Sequence, residues 1–196
     1  MQDMVSFWDV AYLVGAPWDM GEPPRELTEL VNDGKLQTGK VLDIGCGTGT
    51  IAVFLASRGF KASGLDISRI AVKKAERKAA RHDVTCRFYR LDFTDRKELE
   101  SAGLPAFDLL IDNGCYHSLS ANDRESYANS LLRVSHVGTG YLLWGFLRGS
   151  RPGFGPPGIE RNEVEDRLSR NFHIREKHEL ETSYSKMLFY IMERQN

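Results

Sequence analysis

Cysteine is scarce in this chain of 196 residues, and the few present do not pair by spacing. Cys46, Cys86 and Cys115 lie 40 and 29 residues apart. That is neither a disulfide framework nor the close pairing of a structural zinc site. Free thiols in a reducing, cytoplasmic compartment follow, and no metal is expected. Long apolar runs are also missing. None approaches the ~18 residues that cross a bilayer, so no membrane partner is expected. The apolar stretch 5–17 is broken by Asp9 and has no positively charged lead, which argues against a secretory signal. Nor is there a surplus of positive charge: 26 basic and 27 acidic side chains leave a net charge of -1. Nucleic-acid binding normally requires a basic face and a high pI, so no nucleic-acid partner is expected. The one basic concentration, Lys73, Lys74, Arg77, Lys78 and Arg81, falls at helical spacing. It reads as the solvated face of a surface helix. No internal repeat or low-complexity segment interrupts the chain, and its length fits a single domain, 1–196, with a substantial core.

What is present is a glycine turn in a telling place. Residues 40–50 read Lys-Val-Leu-Asp-Ile-Gly-Cys-Gly-Thr-Gly-Thr, and a helix-like segment, 51–58, follows. A short apolar strand, a glycine-rich turn and a helix N-terminus form the layout with which α/β proteins hold a nucleotide-like ligand. Gly45 and Gly47 let the backbone approach that ligand closely, because no Cβ intervenes. A dinucleotide-binding turn reads G-x-G-x-x-G. Here the third glycine, Gly49, comes one residue early and Thr50 takes the expected place.

After this turn, strand and helix alternate. The patterning predicts strands at 61–65, 85–91, 107–111 and 140–147, and helices at 68–81, 121–134 and 160–168. Ser68 is placed to cap its helix. Two closing strands, 172–179 and 187–193, imply a hairpin and one antiparallel member. Alternation of this kind gives a mostly parallel sheet with helices on both faces. Two segments stand outside the pattern. Residues 1–37 are rich in aromatic and turn residues, and 148–158 form a Gly/Pro loop of a length that is often functional.

In open α/β sheets the ligand lies across the carboxyl ends of the strands. After the first strand with its glycine turn, the next three end at Asp66, at Asp92-Phe93, and at Asp112-Asn113-Gly114-Cys115-Tyr116-His117. A single Asp there is usually a turn residue; three behind one glycine turn favour a site. Asp66 is placed to accept hydrogen bonds from two ribose hydroxyls. Asp92 is placed to accept from an adenine amine, with the Phe93 N–H donating to the ring.

The turn, with Asp43 two residues ahead of Gly45, resembles motif I of the class I S-adenosylmethionine-dependent methyltransferases. The segment Pro17-Trp18-Asp19-x-Gly21 and the segment 107–119 look like parts of the thiopurine and halide/thiol methyltransferase group. The stretch 151–156 resembles a substrate-side loop of bacterial enzymes that methylate small heterocycles. The resemblance implies a Rossmann-like seven-stranded sheet in order 3-2-1-4-5-7-6, with residues 1–37 capping a 38–196 core. It implies S-adenosylmethionine as cofactor, yielding S-adenosylhomocysteine. It assigns ribose to Asp66 and adenine to Asp92 and Phe93 with Ile67 on the ring face; Trp18 and Gly114 lie near the methionine part, Asp43 organises the glycine loop or reaches the ligand's amino group, and Gly45, Cys46, Gly47, Gly49, Asp112 and Asn113 complete the cofactor-binding set. The acceptor is then an S, O or N atom of a small molecule, in a monomer or homodimer.

Methyl transfer asks for in-line alignment, exclusion of water and sometimes removal of a proton. His117 is the candidate base and Tyr116 the second, or a pocket wall. A thiolate acceptor would need neither. The chain lacks the Asn/Asp-Pro-Pro-Tyr sequence of amino-group methyltransferases. A non-catalytic S-adenosylmethionine-binding subunit and a nicotinamide-dependent oxidoreductase are the alternatives; Thr50 and the early Gly49 speak against the latter.

Overall fold

The computed structural model describes residues 2–150, 155–181 and 185–196, with residues 2–6 as backbone only. Residues 151–154, within the segment likened to a substrate-side loop, lie outside the described residues. Seven strands occur in chain order: β1 (Lys40–Ile44), β2 (Lys61–Asp66), β3 (Arg87–Arg90), β4 (Phe107–Asn113), β5 (Ser135–Phe146), β6 (Phe172–Glu181) and β7 (Lys186–Arg194). They form one sheet in the order β3-β2-β1-β4-β5-β7-β6, as the sequence implied. The pairs β1–β2, β2–β3 and β4–β5 are parallel, and β7 runs antiparallel to both β5 and β6. The chain divides into two compact units, Met1–Asp92 and Phe93–Asn196.

The first unit holds β1–β3 and four helices, α1 (Gln2–Val14), α2 (Arg25–Asn32), α3 (Thr50–Ser57) and α4 (Arg69–Arg81). Val41, Leu42 and Ile44 of β1 and Leu65 of β2 are fully or almost fully buried, the near-continuous apolar run of strands covered on both faces. Helix α4 begins where Ser68 Oγ accepts from the Ala71 N–H at 3.1 Å, a serine N-cap. Its buried face is Ala71, Val72, Ala75 and Ala79. Small side chains at this spacing bring the helix backbone close to the glycine turn. Helices α1 and α2 were not foreseen. The first is apolar around most of its circumference, so its sequence has no amphipathic stripe to read.

The second unit holds β4–β7, with α5 (Arg96–Ala102), α6 (Ala121–Arg133), α7 (Glu163–Leu168) and a 3-10 turn at Tyr116–Ser118. Its core contains Tyr127, Leu131, Tyr141, Leu143, Trp144 and Tyr190. Helix α5 escaped notice because it is short and polar. Its start is set by Asp95, which accepts from Lys97 N–H and Glu98 N–H. Strand β5 begins at Ser135 rather than 140. Pairing supplies what the polar sequence 135–139 does not: Ser135 registers with Phe107, and Thr139 Oγ1 donates to Phe107 O at 2.7 Å. Helix α7 starts at Glu163 rather than 160, where the Glu163 carboxylate accepts from the Glu160 N–H at 3.2 Å.

Gly64 in β2 faces the glycine turn. A Cβ there would stand 2.8 Å from Cys46 Sγ and 2.9 Å from Phe88 Cδ1. Gly64→Ala is expected to destabilise the protein by about 1–3 kcal/mol through overpacking. The check is a lower denaturant midpoint at unchanged slope; an unchanged midpoint would mean that Cys46 and Phe88 give way freely.

Candidate active site

The glycine turn is built from close approaches. Gly47 has φ +53, and a Cβ on it would lie 2.7 Å from Tyr12 Oη. Gly49 caps α3 at φ +78, and its Cβ would lie 2.7 Å from Ala75 Cβ. Backbone conformation and space therefore both demand glycine at these positions. Asp43 is buried and accepts from the Ala52 N–H at 3.2 Å, tying the end of β1 to the first turn of α3. Cys46 donates its N–H to Leu65 O at 2.9 Å, and its thiol packs in the gap at Gly64. Gly45, at φ +68, opens the turn.

Asp66 closes this cradle. The Gly47 N–H donates to Oδ2 at 2.9 Å and the Ser68 N–H to Oδ1 at 2.8 Å. Burial pushes its pKa up to about 6, further than the two amides pull it down, and Asp9 adds to the rise. Each carboxylate oxygen has more than one lone-pair direction. One backbone donor on each leaves acceptor capacity for a pair of vicinal hydroxyls, so the residue fits a ribose. Ile67 next to it is half-buried, and Asp92 is buried at the end of the unit.

The N-terminal segment is fastened to the cradle. Trp18 Nε1 donates to Tyr12 Oη at 3.3 Å, and the Trp18 ring meets Trp8 and Tyr12 edge-on. Thr48 Oγ1 donates to Asp19 Oδ1 at 3.0 Å. Asp9 accepts from Ser68 Oγ at 2.6 Å and from the Ile70 N–H at 3.1 Å. Tyr12, beside the glycine turn, went unnoticed in the sequence. No periodicity singled it out, because α1 is apolar around most of its circumference.

In the second unit the loop after β4 is organised by Asp112, which is fully buried. Its oxygens accept from Cys115 N–H at 2.8 Å, Tyr116 N–H at 2.9 Å and Tyr127 Oη at 2.5 Å. Desolvation raises its pKa to about 6 against these donors. Asn113 is exposed. Gly114 has φ +104, donates to Trp144 O, and approaches the His117 ring at 3.3 Å from an ideal Cβ. Phe93 is buried with its ring against Tyr127. Tyr116 is buried and donates to Glu163 Oε1 at 3.2 Å; desolvation, then Glu163, holds its phenol protonated.

His117 is buried, with its ring tilted on Phe146. The Phe146 N–H donates to His117 Nδ1 at 3.3 Å. A neutral imidazole accepting at Nδ1 carries its proton on Nε2. The His117 carbonyl accepts from the Gly158 N–H and from Arg124 Nη2. Arg124 also donates to Gly158 O at 2.7 Å and forms a buried ion pair with Glu163 at 2.6 Å. It thereby braces the His117 loop. Sequence reading passed over Arg124, although a cation three residues before Tyr127 and seven before Leu131 on an apolar helix face was a signal. A cavity of about 180 Å³ adjoins this loop, lined by Phe146, Leu147, Arg148 and residues 155–158 among others.

Because Asp112 titrates near 6 when folded and near 3.8 otherwise, its neutral form favours the native state. That contribution is complete below about pH 4 and is lost as pH rises through about 6. Asp112→Asn cannot titrate. The wild type should therefore lose stability relative to the variant as pH rises from about 4 to 7, in denaturant titrations across that window. A constant difference would mean that Asp112 is ionised throughout.

A family profile described as a methyltransferase domain matches residues 41–138. A 2-heptyl-1-hydroxyquinolin-4(1H)-one methyltransferase from Mycobacteroides abscessus is 31% identical over 81% of this chain and 69% of its own length. A probable thiol methyltransferase from Arabidopsis thaliana is 31% identical over 76% of this chain and 65% of its own. A structure solved in work on the conversion of a disulfide bond into a thioacetal group during echinomycin biosynthesis superposes with a TM-score of 0.83 at 25% identity, covering 98% of this chain and 93% of that one. Neighbours of the same fold include a magnesium protoporphyrin IX methyltransferase from Synechocystis, 19% identical, solved with S-adenosylhomocysteine and with S-adenosylmethionine at TM-scores of 0.72 and 0.68. A match to the domain over half the chain, joined to a relative of this identity and coverage, shows that the chain belongs to the methyltransferase-domain family and is an S-adenosylmethionine-dependent methyltransferase.

Proposed function

We propose that this enzyme methylates a small thiol or heterocycle at an S, O or N atom that is already ionised near neutral pH. The observation that carries the reading is the Phe146 N–H bond to His117 Nδ1. With its proton on Nε2, the ring is a hydrogen-bond donor, suited to steady an anionic acceptor rather than to deprotonate a neutral one. Tyr116 cannot substitute as a base, because its environment holds the phenol proton. The relatives support a small-molecule acceptor: one is named for a 1-hydroxyquinolinone and one, a probable enzyme, for thiols.

When bound, the cofactor supplies a methyl group on a positively charged sulfur, which needs no further activation. The chain's own work is to hold and align. Asp66 takes the ribose hydroxyls. Asp92 and the Phe93 N–H take adenine, with Ile67 on its face. Asp43 orders the turn of Gly45, Cys46, Gly47 and Gly49, and Trp18 with Tyr12 covers it. Asp112 shapes the loop that carries Asn113, Gly114, Tyr116 and His117. In this reading the chain is one methyltransferase domain with residues 1–37 as its cap, a cytoplasmic monomer or homodimer without a nucleic-acid partner.

Asp66→Ala should weaken S-adenosylhomocysteine binding by about 1.5–3 kcal/mol in calorimetric titration, the scale of a lost charge-assisted hydrogen bond. Wild-type affinity should fall as pH drops through about 6, where the carboxylate gains its proton. Unchanged affinity in the folded variant would put the ribose elsewhere. For the acceptor, the acid limb of kcat/KM should move with acceptor acidity across a series of thiophenols and N-hydroxyquinolinones. A limb fixed near about 6.5 for every acceptor, and abolished in His117→Gln, would instead make His117 a general base.

A further inference from the structure

The described residues contain seven exposed large apolar side chains, and all but Val137 fall between positions 7 and 20. Helix α1 is the reason. Its inner face, with Trp8 and Tyr12, packs on Ile70 and Ala71. Its outer face presents Phe7, Val10, Leu13 and Val14, each more than half exposed. The helix is held in this attitude by Asp9, which binds the start of α4, and by Lys74 Nζ donating to Tyr12 O. Trp18 and Met20 extend the apolar surface, Met20 at 83% exposure.

Met20 also lines a groove of about 650 Å³ whose other wall carries Lys74, Arg77, Lys78 and Arg81 of α4. In a chain of net charge -1, α4 alone holds six cations against one carboxylate, Glu76. None of the four groove cations makes a carboxylate ion pair among the described residues. Lys78 donates instead to the Thr48 and Thr50 hydroxyls at 2.8 and 2.6 Å, and Asp19, the one carboxylate lining the groove, acts on it electrostatically without an ion-pair contact among the described residues. The apolar face and the cationic groove thus meet at Met20.

We propose that the outer face of α1 and the α4 groove together seat this protein on an anionic phospholipid surface. The apolar side chains enter the boundary between headgroups and acyl chains, and the cations meet the lipid phosphates. The charge selects the occupant. A second copy of the chain would bring two cationic stripes together, and a nucleic acid would leave the apolar face without use. The earlier expectation of no membrane partner rested on the lack of a spanning run, and a surface-bound helix needs none. This inference goes beyond the transferase reading and does not depend on it.

The test is co-sedimentation of the full chain with vesicles of phosphatidylcholine alone and of equal parts phosphatidylcholine and phosphatidylglycerol. The wild type should partition onto the anionic vesicles, roughly ten-fold or more over the neutral ones. Val10→Asp with Leu13→Asp, and separately Arg77→Glu with Arg81→Glu, should each abolish that preference. All four positions are solvent-facing, so both variants should still bind S-adenosylhomocysteine within about twofold of the wild type, which separates lost docking from lost folding. No partition onto either vesicle overturns the proposal. So does equal partition onto both, which leaves the cations without a role. A wild-type dimer in light scattering that ignores lipid and dissociates in the Val10→Asp, Leu13→Asp variant gives the face to a second copy and overturns it as well.

Discussion

The Gly47 N–H points at the Asp66 carboxylate, and much of the first unit is arranged to keep it there. The bond joins the end of β2 to the turn after β1, two strands that register residue for residue as far as Ile44 and Leu65. Gly47 can present its N–H only at a positive φ and only with nothing on its Cα, because Tyr12 Oη stands in that space. Gly49 must be bare because α4 passes with Ala75, and Gly64 because Cys46 turns inward. A Cβ at any of the three would force a neighbour to shift. The constraint explains why small residues gather here, and why the Asp66 carboxylate is both buried and already oriented.

The second unit solves a similar problem with a different device. Asp112 gathers two backbone amides and a tyrosine hydroxyl, which fixes the chain path from Asn113 to His117. Arg124 then fixes the same loop from the other side through the His117 and Gly158 carbonyls and Glu163. A buried ion pair of this kind contributes little net stability over apolar packing, but breaking it by removing one partner is costly. Its worth lies in geometry. The His117 ring is presented with Nδ1 accepting from the Phe146 N–H.

The sequence made the sheet legible because β1, β4 and β5 are buried runs and each strand of the alternation ends in a turn signal. Strand order followed from the resemblance, and the alternation alone would have left several orders open. The elements that were missed share a physical cause. Helix α5 is polar and held by a cap rather than a stripe. The first residues of β5 are polar and held by their pairing with Phe107. Helix α1 is apolar almost all round, so periodicity had nothing to contrast. At the site, glycines and strand-end aspartates were readable because backbone chemistry demands them at fixed offsets. Tyr12 was not, since it acts across tens of residues on a turn whose position only the fold reveals; Arg124 stood out on an apolar helix face, but its partner at Gly158, 34 residues away, did not.

The elements that shape the cradle also form the surface inferred to meet lipid. Helix α1 sets Tyr12 against Gly47 on one face and shows Leu13 and Val14 to solvent on the other. Helix α4 sets Ala75 against Gly49 and turns Lys74 and Lys78 toward the groove. Neither helix can shift without moving a contact to a glycine of the turn. Thr48 makes the link tighter, since its hydroxyl accepts from Lys78 and donates to Asp19 while its neighbours on either side are Gly47 and Gly49. Whatever occupies the outer face of these two helices therefore bears on the same backbone that holds Asp66 in register.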